Sequence, residues 1–234
     1  MAPMTGRAIA GMGQGIGKFM TLGIGTEIIY SFVIIVCSLM IYFGTKELYN
    51  LTKHKGIKYF RLSFLFFALA YFFRSFIKII LFYFDIREIR LLLPVFGSVT
   101  LFIFMYFSAI AIFYLLYSVM WKKWKSKLAI YLFHISALII STTVLLFRTS
   151  LVYFTINILL LIFIIFTVYT AYHQSKKKKS HNLYIIYLML FIFWIFNIVD
   201  ILVPSLLQTF QLFIYLFSLG IFLLIFYKVI RKTG

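Results

Sequence analysis

The chain has 234 residues, of which 64% are hydrophobic and only 12% charged. So few charges cannot clothe a water-soluble fold of this length, and the composition predicts an all-α integral membrane protein. Twenty-three Lys and Arg oppose five acids, for a net charge of +18. The basic residues fall in short blocks between apolar runs, which is the positive-inside pattern of a membrane protein and not the footprint of a nucleic-acid binder.

Residues 1–25 read as a separate N-terminal segment. A helix over 6–20 puts Arg7, Gln14 and Lys18 on one face and Ile9, Met12, Ile16 and Met20 on the other, a short amphipathic helix suited to a membrane surface or a partner. Gly, Gln and Lys interrupt the apolar core that a secretory signal requires, so the first true span is expected to serve as an uncleaved insertion signal. The string Gly11, Gly13, Gly17 lacks a preceding strand and a following acid, which removes a dinucleotide loop.

Residues 26–234 form one predicted transmembrane domain. Seven apolar runs, at 26–44, 60–84, 92–120, 128–147, 150–172, 183–206 and 209–229, each approach the ~20 residues that cross a hydrocarbon core as helix. The loop after the first run holds Lys46, Lys53, Lys55 and Lys58, with Arg61 just inside the next span. The block Trp121 to Lys127 adds four lysines, Lys176 to Lys179 four more, and the tail Lys228, Arg231 and Lys232. Sixteen of the 23 basic residues thus lie on one side, so the N-terminus is predicted outside and the C-terminus in the cytoplasm of a cell membrane. Trp121 and Trp124 among lysines read as interfacial anchors, and the basic loops as contacts for anionic lipid headgroups. Asn50-Leu51-Thr52 falls on the cytoplasmic side, where its glycosylation triplet has no meaning. Heavy use of Ile, Phe, Lys and Tyr suggests an AT-rich prokaryotic genome.

Arg74 and Lys78 lie inside the second span, four residues apart and so on one face, in a stripe that ends at Asp85. A cation near the bilayer centre costs on the order of 2.5–3.5 kcal/mol, so it turns inward or reaches for the headgroups. Lys78 is near enough to the outer surface to snorkel; Arg74 is deeper and needs a partner. Asp200, inside the outer half of the sixth run with Asn197 on the same face, is expected at a matching depth. Such a pair either fixes helix packing or lines a pocket. Glu27, Ser98, Thr100, Ser141, Thr142, Thr143, Thr155, Asn157, Gln208 and Gln211 concentrate in the same outer half, whereas Ser108 and His134 are expected in the cytoplasmic half. The candidate ligand-binding or ion-pair cluster is therefore Arg74, Lys78, Asn197, Asp200, Asn157 and Glu27.

No metal site, cofactor or catalytic residue is predicted. Cys37 is the one cysteine and sits in an apolar run, which excludes an intrachain disulfide. The four histidines lack metal-ligand spacing, and neither a nucleophile motif nor an acidic pair suited to intramembrane hydrolysis is visible. The topology is that of rhodopsins and receptor-like sensors, but the last span has no lysine in its middle for a retinal Schiff base and no Asn-Pro motif. The sequence thus predicts a non-enzymatic sensor, ligand-binding module or membrane-complex subunit, with a membrane protein or a second copy as the expected kind of partner. The alternative is an anion-preferring channel or small-solute transporter using the same cluster. Only three prolines and no internal repeat argue against the broken-helix transporter plan.

Overall fold

The computed structural model describes residues 6–83, 93–124, 128–147, 149–178, 182–202 and 208–233, with side chains for 25–76, 79–80, 95–124, 128–147, 149–176, 184–202 and 210–231. Among them all regular structure is helical: α1 Gly6–Gly44, α2 Lys46–Thr52, α3 Lys55–Tyr83, α4 Leu93–Met120, α5 Leu128–Phe147, α6 Ser150–Lys178, α7 Asn182–Leu202 and α8 Gln208–Thr233. Seven of these are long and apolar enough to cross a membrane. A backbone in hydrocarbon must satisfy its polar groups internally, which is why uninterrupted helix is the form these runs take.

α1 runs without a break from Gly6 into the first span. The amphipathic face expected over 6–20 lies outside the described side chains, as do Asp85 and the remainder of its loop. The loop after α1 contains a helical turn, α2, that composition did not announce. Lys53 closes it in the left-handed conformation with φ 47°, and its N–H donates to the Tyr49 carbonyl. This is a C-terminal cap usually built with glycine.

The spans close into a ring. α1 packs on α3 and α8, α8 on α7, α7 on α6, α6 on α4, and α4 on α3, while α5 lies outside against α4 and α6. The α3–α4 contact is the most extensive. It is made close by small residues: Ser63, Ala70, Ser108, Ala109 and Ala111 are buried, and a Cβ on Gly56 would stand 2.7 Å from the Ser118 carbonyl oxygen. Small side chains let membrane helices approach where no hydrophobic force drives them together. Residues 108–120 of α4 are buried without interruption, the behaviour of a helix enclosed on all sides. Leu146, Leu151 and Tyr131 instead present more than two thirds of their surface to the outside, as side chains that face lipid.

The core is aromatic. Phe60, Phe64, Phe67 and Tyr71 follow one another along α3 at alternating steps of four and three residues, and all are buried. Phe64 meets Phe67 and Phe222, Phe222 meets Phe193, and Phe193 meets Tyr71, with ring centroids 5.1–6.3 Å apart. Arg74 is the next step on this stripe, so the same helical face that fills the core delivers the guanidinium.

Candidate functional site

Arg74 joins three helices. Its Nη2 donates to Glu27 Oε1 of α1 at 2.9 Å and to Asp200 Oδ2 of α7 at 3.3 Å. The three side chains keep 20, 16 and 11% of their accessible surface, so the cluster is largely enclosed. A fourth helix supports it: Gln211 Nε2 on α8 donates to the other Asp200 oxygen at 3.1 Å and to Tyr215 Oη at 2.9 Å. Asp200 is thereby held through both oxygens by groups on α3 and α8, which fixes its carboxylate plane.

Aromatic rings surround this polar knot. The Tyr30 ring stacks on Tyr215 at 4.6 Å and meets the edge of Tyr71 at 6.0 Å. The Arg74 guanidinium carbon lies 5.6 Å from the Phe104 centroid and 5.9 Å from that of Tyr71. A cation over an aromatic ring gains about 0.5–2 kcal/mol as water is removed. Tyr71 Oη donates to Asn197 Oδ1 at 2.7 Å, and Asn197 Nδ2 returns to the Phe193 carbonyl of its own helix.

Beside the cluster lies a cavity of about 210 Å³, walled by Tyr71 and Arg74 of α3, Phe104 and Ser108 of α4, Tyr153 and Asn157 of α6, and Trp194, Asn197, Asp200 and Ile201 of α7. Glu27 does not line it. Asn157 Nδ2 donates to the Tyr153 carbonyl, and the Asn157 carbonyl accepts the Trp194 indole N–H at 3.3 Å, tying α6 to α7 across the cavity wall. Comparison with protein families, curated proteins and solved structures finds no match for this chain. The site must be read from its own chemistry.

Of the residues expected from sequence, Arg74, Asp200 and Glu27 form one ion cluster, and Asn157 and Asn197 stand in the adjoining cavity wall. The Lys78 side chain lies outside the described residues. Three of the polar residues expected nearby turn away: Ser141, Thr143 and Thr155 donate to carbonyls three or four residues back on their own helices. That local bond is the usual resort of a hydroxyl in an apolar helix. Ser108, expected in the opposite half, instead lines the cavity. It sits near the midpoint of α4, where counting by halves loses its meaning.

Sequence reasoning did not select Tyr71, Phe104, Tyr153 and Trp194 as walls. Tyr71 was detectable in principle, since it falls on the stripe that ends at Arg74; the other three depend on helix rotation. His134 is held by two tyrosines, with Nδ1 2.9 Å from Tyr106 Oη and Nε2 2.9 Å from Tyr114 Oη, and is not part of the cavity. Among the described residues no three His, Cys, Asp or Glu side chains group to hold a metal ion.

Proposed function

We propose that this chain is a non-enzymatic, multi-pass protein of a prokaryotic cell membrane, a sensor or ligand-binding subunit that takes a small molecule into the cavity beside Arg74 and Asp200. One observation carries the reading: the charged and amide side chains of Arg74, Asp200, Asn157 and Asn197, although paired, border a cavity of about 210 Å³ inside the bundle, space that a purely structural cluster does not need. With the N-terminus outside, as the basic blocks indicate, Glu27 near the start of the first span and Asp200 near the end of the sixth put the site toward the outer surface. The basic segments then face the cytoplasm, where they contact anionic lipid headgroups and offer a surface to a membrane partner or a second copy.

Conduction is the second reading, and the aromatic core weighs against it. Phe64, Phe67, Phe193 and Phe222, each at most 2% exposed, fill the bundle on the far side of Tyr71 from Arg74. A ligand held above such a plug is bound, not passed.

Thiol access tests the reading. In a Cys37→Ser background, Ser108→Cys is expected to react with a small water-soluble methanethiosulfonate and to be protected by bulky substitution of Asn157. A cysteine that stays unreactive while the protein remains folded would make the cluster a sealed packing device.

A further inference from the structure

We infer that the molecule this cavity takes is a small monovalent organic cation, a primary or quaternary ammonium held at Asp200 between aromatic rings. The inference rests on the ligand-binding reading above and adds the ligand's charge.

Charge balance is the first ground. Among the described side chains one guanidinium faces two carboxylates, and the two are not equivalent. Glu27 makes the shorter contact, 2.9 Å against 3.3 Å, and stands outside the cavity wall; Asp200 makes the longer one and lines the cavity. Arg74 Nη2 is shared between the two, and Asp200, held at the longer distance, is the carboxylate at the cavity surface. The Lys78 side chain lies outside the described residues. Two carboxylates that share one guanidinium in a low-dielectric bundle favour an occupant that brings a positive charge, and a further anion would deepen the excess.

The walls are the second ground. Tyr71, Phe104, Tyr153 and Trp194 bring aromatic rings from α3, α4, α6 and α7 to one cavity, and the faces of such rings attract cations, tryptophan most of all. Amide side chains at Asn157 and Asn197 contribute oxygen dipoles that an ammonium can use. Size is the third ground. A volume of about 210 Å³ lies below the ~300–1,000 Å³ of sites that take drug-sized ligands and suits a compact amine.

The test uses the full chain in lipid nanodiscs with Trp121→Phe and Trp124→Phe, so that Trp194 alone emits. n-Butylammonium and tetramethylammonium chloride are titrated beside n-butanol and sodium butyrate as matched neutral and anionic probes. A saturable Trp194 response to at least one ammonium is expected, with butyrate silent and butanol at least tenfold weaker. Asp200→Asn is expected to weaken ammonium binding about tenfold or more. Phe104→Leu, which keeps every charge in place, is expected to weaken it several-fold while the apo protein melts as a folded species. Butyrate or butanol binding as well as the ammonium ions would overturn the cation assignment and leave the pocket standing. No saturable response to either ammonium would overturn it too, and the pocket then stands or falls on the Ser108→Cys reactivity.

Discussion

Arg74 shows how one residue in an apolar helix organises its neighbours. Its cost in the membrane is met by two carboxylates from α1 and α7, and each of those is in turn uncovered if the arginine goes. Arg74→Met is therefore expected to destabilise the protein by about 3–5 kcal/mol, the loss typical of a buried pair left with an unpaired charge. Asp200→Asn leaves the neutral Arg74–Glu27 pair and its 2.9 Å contact, so a smaller loss of about 1–2 kcal/mol is expected. Thermal unfolding in detergent ranks the two; equal losses would contradict the asymmetry. At this scale the sequence is informative about ions and silent about surroundings. Arg74 and Asp200 stand out because charges are rare in such runs, and helical rise alone brings them to one depth. Glu27 stands out only as one polar residue among several. The aromatic wall is hidden because this chain has 30 phenylalanines and 17 tyrosines, among which position gives no contrast.

Among the helices, α3 does most of the positioning. Its alternating four-three stripe is legible in the amino-acid order alone, and the fold assigns that stripe to the core, from Phe60 to Arg74. Close packing of its first turn on α4 depends on Gly56. Gly56→Ala forces a Cβ against the Ser118 carbonyl at 2.7 Å, and a loss of about 1–3 kcal/mol is expected in the same melting assay. Lys53 offers the opposite sign. Its left-handed backbone costs a lysine roughly 1 kcal/mol, so Lys53→Gly is expected to be neutral or to stabilise by a few tenths of a kcal/mol, the gain reduced by the added freedom of the unfolded chain. The short helix it closes is illegible in the sequence because a seven-residue turn with Lys, Glu and Asn has no apolar period to reveal it.

For the whole molecule, seven spans follow from apolar run lengths, whereas ring closure and the outer station of α5 follow from contacts that no run length encodes. Orientation is a separate claim resting on the lysine blocks. In a Cys37→Ser background, Thr149→Cys is expected to react with an impermeant maleimide on intact cells, and Lys123→Cys only after permeabilisation; the reverse pattern would invert the topology. The charged cluster borders a cavity inside the bundle. A crystal structure grown from a lipidic phase tests it most directly, through the density between Asp200, Asn157 and Trp194. Solvent or ligand density filling about 210 Å³ there is expected; side chains collapsed into that space, with Asp200 shielded from it, would contradict the account.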